Sequence, residues 1–268
     1  MCIRDRSRAS AAIIAREIKR KHDLVLGLAT GDTPLGTYRE LARLHKEEGL
    51  DFSKVTTFNL DEYLGLAPLH KNSYNYFMWE HLFKHVNVSQ DRIFVPQGNT
   101  DDPEEFSEWY EETIRTAGGL DLQVLGIGRD GHIGFNEPGS SFASRTRVKG
   151  LYKQTILDNA RFFDKEDDVP RFAITMGVGT IMDAKKILLI ANGKAKADVC
   201  KEFIEGPVTC QITATALQLH GYAIVVLDEE AASKLERKEY YNWIRDNKHV
   251  VEKRIGLSLI HISEPTRP

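Results

Sequence analysis

The sequence predicts an α/β fold built on a doubly wound, mostly parallel β-sheet with helices on both faces. Three observations carry this. Six short apolar runs recur along the chain: LVLGLA (24–29), VTTFNL (55–60), LQVLGI (122–127), RFAITM (171–176), KILLIA (186–191) and YAIVVL (222–227). They are nearly continuous rather than alternating, as strands buried on both faces are. Amphipathic stretches long enough for crossover helices lie between them, giving a βαβα order and hence a Rossmann-like sandwich.

Taken in order, the expected helices cover 8–21, 35–48, 73–86, 103–117, 195–205 and 229–247. Pro34 suits a first helical turn, and Gly49 suits the position just past a helix C-terminus. Residues 151–170, LYKQTILDNARFFDKEDDVP, break the pattern with aromatics and the charged run Asp164–Asp168. They read as an excursion over the strand C-terminal ends, a lid at about 151–171, with the acidic run as a solvated loop. The whole is expected to be one domain over 7–256. The ends, MCIRDR (1–6) and 257–268 with SLIHISEPTRP, fit no periodic pattern, resemble translated sequencing-adapter read-through, and are expected to lie outside the fold.

At 268 residues with 41% hydrophobic content the chain can bury a large core, and no apolar run approaches the roughly 20 residues of a membrane span. A net charge of −3 offers no general attraction to nucleic acid or membrane, so an anionic ligand must be held by a few placed groups. Three cysteines without a CxxC pair argue against structural zinc or disulfides and suit a reducing cytoplasm.

Three constellations carry chemistry. In LATGDTPLGTYREL (28–41) a strand passes through Thr30, Gly31, Asp32 and Thr33 into a helix. Convergent N–H groups and the helix dipole make such a turn a phosphate site. A plain tight turn with Thr33 as helix cap reads equally well. No Gly-Lys-Ser/Thr follows, which excludes a Walker A loop.

In TTFNLDEYLGL (56–66), Asp61 and Glu62 directly follow an apolar strand, where partial burial can raise a carboxyl pKa toward that of a general base. One of the two is expected to be structural. In GIGRDGHIGFNEP (126–138), Asp130, His132 and Glu137 gather within eight positions after a strand. Asp130 and His132, two apart in an extended backbone, would face the same side, and Glu137 before Pro138 would reach back to tune the imidazole. Gly126, Gly128 and Gly131 also fit GxGxxG, but no helix follows cleanly, so a dinucleotide site is set aside. Zinc deaminase and serine hydrolase signatures are absent.

Together LGLATGDTPLGTY, TTFNLDEYLGL, GIGRDGHIGFNEPGSSFASRTR, ARFF, TMGVGTIMDA and LQLH closely resemble the glucosamine-6-phosphate deaminase family, whose fold is shared with ribose-5-phosphate isomerase and 6-phosphogluconolactonase. The resemblance spans nearly all of residues 8–256. It implies conversion of D-glucosamine 6-phosphate and water to fructose 6-phosphate and ammonia, in amino-sugar catabolism, with no metal or organic cofactor. It implies that His132 assists ring opening, with Asp130 and Glu137 setting its protonation, and that Asp61 moves a proton from C2 to C1. Thr30–Thr33, Arg161 and Lys194 would hold the phosphate, with Lys196 as the alternative lysine.

Some members are hexamers activated by N-acetylglucosamine 6-phosphate; Ser140, Arg147, Lys149 and Tyr240 match that effector site, although Gly150 stands where regulated members have threonine. Asp32 replaces the usual Gly or Ser of the phosphate loop, and the family's initial strand is missing, which would leave a sheet edge open. Two other readings stay open: an isomerase or lactonase of the same fold, or a non-catalytic sugar-phosphate-sensing module. Sensing needs no acid/base set, and the sequence lacks a candidate helix-turn-helix segment and any basic patch before residue 24.

Overall fold

The computed structural model describes residues 3–247 and 260–262. Its main sheet has seven strands in the order β10-β9-β8-β5-β1-β2-β4, all parallel. These are β1 (Val25–Leu28), β2 (Thr56–Asn59), β4 (Ile93–Phe94), β5 (Leu122–Leu125), β8 (Ile187–Ala191), β9 (Ala223–Leu227) and β10 (Ile260–Ile262). The continuous apolar runs are explained by burial on both sides: every residue of β1, β5, β8 and β9 is buried.

One face packs against α1 (Ile3–Arg20), α2 (Leu35–Glu48) and α3 (Tyr74–His81), through Ile14, Ile18, Tyr38, Leu41 and Met78 against Leu26, Val124 and Leu188. The opposite face meets α4 (Pro103–Thr116), α6 (Val178–Met182), α7 (Ala197–Glu205) and α8 (Lys238–Asp246), through Tyr110, Ile181, Phe203 and Tyr241 against Val25, Leu125 and Leu189. The doubly wound expectation therefore holds. Helix punctuation is as read at Gly49, the left-handed C-cap of α2 (φ 68°), which glycine adopts without a Cβ penalty. Thr33 is not the cap: Pro34 holds that position, with no side-chain hydrogen bond.

The structure corrects several expectations. RFAITM does not join the main sheet. Its core, β7 (Phe172–Thr175), pairs antiparallel with β3 (Asp61–Tyr63) and β6 (Arg147–Gly150) in a second, three-stranded sheet. An apolar run signals burial but not the sheet that buries it. The first helix begins at Ile3, and Arg6, in the segment expected outside the fold, is 2% exposed. At the other end, Ile260–Ile262 pairs in parallel with β9, so this sheet edge is covered from a segment also expected outside the fold. Residues 248–259 and 263–268 lie outside the described residues. The last helix occupies only Lys238–Asp246 of the expected 229–247. The irregular segment 151–170 contains a short helix, α5 (Lys153–Asn159), followed by single 3-10 turns at Ala160–Phe162 and Glu166–Asp168. Among the described residues, no helix is long and apolar enough to cross a membrane.

Candidate active site

The chain runs from β1 through β2 and β4 to one side, then returns to place β5 on the other side of β1. That reversal opens a crevice at the strand C-terminal ends, the general location of ligand sites in open α/β sheets. A cavity of about 570 Å³ lies there, lined by residues following β1, β2, β5 and β8 and by α5 with the turn after it. Asp61, His132, Thr30–Thr33 and Arg161 all line it.

Asp61 reaches the cavity through the small antiparallel sheet. Its partner on β7 is Thr175, whose hydroxyl accepts a hydrogen bond from Phe135 N at 3.0 Å in the loop that carries His132. That cross-link brings two distant motifs together. Asn136 secures the same loop, donating to Ile133 O (2.9 Å) and Met176 O (2.8 Å). Asp61 is 5% exposed. Burial first, then the neighbouring Glu62 charge, pushes its pKa up to about 8, against an opposing pull from His132.

Glu62 points elsewhere. Its carboxylate accepts from Tyr74 N (2.9 Å) and Asn75 N (3.0 Å) at the start of α3, so it is the structural member of the pair. Burial still lifts its pKa to about 7 despite these bonds.

His132 Nδ1 lies 2.7 Å from Asp130 Oδ1 and 3.5 Å from Glu137 Oε2. The expected proximity is realised, but by a turn rather than an extended backbone: Gly128 N donates to His132 O, and Gly131 has φ +84°. Burial alone would lower the imidazole pKa. The two carboxylates outweigh it and raise the value to about 9. In turn Asp130, which burial would raise, is held below the usual carboxylate range by His132. Glu137 is buried, and its other oxygen accepts from Tyr152 N at 3.1 Å, tying the triad to the segment leading into α5.

Donor atoms of Asp130, His132 and Glu137 lie within 4.8 Å of one another, close enough to consider a metal. At 2.7 Å apart, Asp130 Oδ1 and His132 Nδ1 would subtend roughly 80° at a zinc ion, well under a tetrahedral angle. The spacing suits a shared proton better than a shared cation.

At the other end of the cavity, Gly31 takes φ +88° to turn the chain from β1 toward α2. Tyr38 OH donates to Ala29 O, pinning the loop from below. Arg6 braces it from behind, donating to Thr33 O (3.2 Å) and to Asn192 Oδ1 (2.7 Å). Sequence reasoning missed this residue by excluding its segment.

It also chose the wrong lysine for the cavity. Lys194 is exposed and does not line it, whereas Lys196 does, with Nζ donating to Ile127 O at 2.7 Å. In the 3-10 turn Lys194–Lys196 the two lysines point in different directions, which spacing alone does not resolve. Arg129, Thr155, Asp158 and Asn159 are further lining residues not singled out from the sequence. Arg129 sat inside the quoted motif; the α5 residues had no motif to mark them.

The four proposed effector residues do not line this cavity. Ser140 is buried and donates to Glu137 O, Arg147 and Lys149 lie on β6, and Tyr240 is exposed on α8. A second groove of about 780 Å³ runs along α4 and holds Glu111 with Arg145, Thr146 and Thr180; it contains none of the residues singled out from the sequence.

Residues 2–220 match the family model described as glucosamine-6-phosphate isomerases/6-phosphogluconolactonase. The chain is 50% identical over 247 residues to a glucosamine-6-phosphate deaminase of Shewanella halifaxensis, covering 92% of this chain and 94% of the relative. It is 53% identical over 233 residues to glucosamine-6-phosphate deaminase 2 of Bacillus subtilis, covering 86% and 94%. Among solved structures, one described as a monomeric glucosamine-6-phosphate deaminase superposes with a TM-score of 0.86 at 48% identity, covering 87% of this chain and 97% of that one.

Proposed function

This chain belongs to the glucosamine-6-phosphate isomerase/6-phosphogluconolactonase family, and from that premise we propose that it is a glucosamine-6-phosphate deaminase, converting its substrate and water to fructose 6-phosphate and ammonia. The observation that carries the reading is one cavity with a buried carboxylate and a carboxylate-flanked imidazole at one end and backbone amides with Arg161 and Lys196 at the other.

The chemistry follows from these groups. Ring opening breaks the C1–O5 bond; an imidazolium at His132 gives its proton to O5 and recovers one from the C1 hydroxyl, ending as it began. The raised pKa supports His132 as the proton donor at neutral pH. Asp61 then takes the C2 proton while the aldehyde oxygen gains one from the substrate ammonium, leaving an enolamine across C1 and C2, and Asp61 returns its proton to C1. Water adds to the resulting C2 imine and ammonia departs. Burial that raises the Asp61 pKa makes it a stronger base than an exposed carboxylate, and a substrate ammonium at C2 would stabilise its ionised form.

Thr30–Thr33, Arg161 and Lys196 fit the phosphate, which a bidentate guanidinium and backbone N–H groups recognise well. These groups all come from one chain, which favours a site complete in a monomer; the solved relative is itself described as monomeric. Activation by N-acetylglucosamine 6-phosphate through Ser140, Arg147, Lys149 and Tyr240 remains a proposal for an assembled form. Addition of water at C2 with departure of ammonia places the reaction among hydrolytic deaminations, and the free thiols Cys200 and Cys210 suit a reducing compartment. Following ammonia and fructose 6-phosphate with glucosamine 6-phosphate as substrate tests the reading. Hydrolysis of 6-phosphogluconolactone without ammonia would replace it.

A further inference from the structure

The phosphate reading leaves one side chain unexplained: Asp32 is a carboxylate at the place an anion would occupy. In the structure Asp32 Oδ2 lies 2.7 Å from Arg161 Nη2, joining the loop after β1 to the turn after α5. Both side chains are more than half exposed, at 54% and 64%. The neighbouring cations are engaged differently. Arg129 stands 3.7 Å from Asp158, and Lys196 bonds a backbone carbonyl. Arg161 alone among these three is paired to the loop that offers its amides to the ligand. Its guanidinium also lies 4.6 Å from the centroid of the Phe162 ring. A guanidinium presents a fixed fork of N–H donors, so a carboxylate on Nη2 uses donor positions that a phosphate would use.

We propose that Asp32 is a resident competitor for Arg161, so that a phosphate ester binds by exchange, taking over the guanidinium while the carboxylate turns to solvent. The exchange makes Asp32 a residue that sets the affinity of the site for phosphate. A phosphomonoester dianion gains more from Arg161 than a single carboxylate does, whereas a singly charged anion gains no advantage over Asp32. Every anion that takes over Arg161 meets the same displacement cost, and the dianion recovers it from the guanidinium. This inference rests on the phosphate-site reading above.

Its test is calorimetric titration with inorganic phosphate, together with KM for glucosamine 6-phosphate, on the parent chain, Asp32→Ser, Arg161→Gln and the double variant. Asp32→Ser should tighten phosphate binding and lower KM by about two- to fivefold, the range of a solvent-exposed ion pair. That gain should disappear when Arg161 is already glutamine. A gain of equal size with and without Arg161 would overturn exchange, leaving simple repulsion by Asp32. No gain at all would equally overturn it. Absence of phosphate binding in all four proteins would remove the phosphate site itself, a different failure recognisable because Arg161→Gln would then leave KM unchanged.

Discussion

Gly128 packs directly against His132: a Cβ placed at residue 128 would overlap the imidazole at Nδ1 and Cε1 and come within 2.7 Å of Asp130 Oδ1. The contact explains why glycine stands at 128, in the turn between β5 and the acid/base residues. Alanine at 128 has room only if the imidazole and its carboxylate partner shift. Gly128→Ala is therefore expected to lower kcat by about 100-fold through misplacement of His132. Steady-state ammonia release checks this, and a normal rate with an unchanged pH profile would show that the geometry tolerates the methyl group.

Asp61→Asn removes the proposed base while preserving shape. The expected outcome is a fall in kcat of about 100- to 10,000-fold, the usual scale of general-base catalysis, with little change in KM. Exchange of the C2 hydrogen with deuterated solvent should be lost in parallel. Retained exchange would assign the proton transfer to another group.

Stability should decline toward alkaline pH for reasons found in the same cavity. His132 is raised from 6.5 to about 9, so its stabilising contribution is complete below 6.5 and is lost as pH rises through 9. Asp61 is raised from 3.8 to about 8, so the folded chain also holds this proton longer than the unfolded chain does, and stability falls between those values. Both slopes have the same sign. Urea unfolding of the parent and Asp61→Asn should show the variant gaining relative stability from pH 5 to pH 8. A constant difference would mean that Asp61 titrates normally.

The main sheet was legible because strands buried on both faces are written as continuous apolar runs, and β1, β2, β5, β8 and β9 lie within five of the six predicted segments. The sixth, RFAITM, has the same composition but pairs with Asp61–Tyr63 and Arg147–Gly150, whose polar residues do not look like strands. That small sheet is what carries Asp61 to His132, so the acid/base residues were readable while their means of assembly was not. The Asp32–Arg161 and Arg6–Asn192 contacts join residues 129 and 186 positions apart, separations that no local motif encodes. Lys196 rather than Lys194 follows from the direction of one 3-10 turn.

From a buried position Arg6 ties the loop after β1 to the segment after β8 by two charge-assisted hydrogen bonds, to Thr33 O and Asn192 Oδ1. Arg6→Ala is expected to cost about 1.5–3 kcal/mol of stability, the scale of a hydrogen bond to a charged group, and to raise KM for the phosphosugar. Thermal unfolding with parallel kinetics distinguishes this from a surface role, for which neither quantity would move.

The close Asp130–His132 spacing predicts catalysis by proton transfer without a metal ion. Exhaustive treatment with a chelator should leave the turnover rate intact. Loss of activity on chelation, restored by one divalent metal, would reverse this assignment.

The most direct measurement is release of ammonia from glucosamine 6-phosphate by the purified chain and by His132→Gln. The parent should form ammonia and fructose 6-phosphate in equal amounts, and the folded variant should lose nearly all of this activity. A folded parent that binds the sugar phosphate but releases no ammonia would contradict the deaminase reading and leave the cavity as a sugar-phosphate sensor.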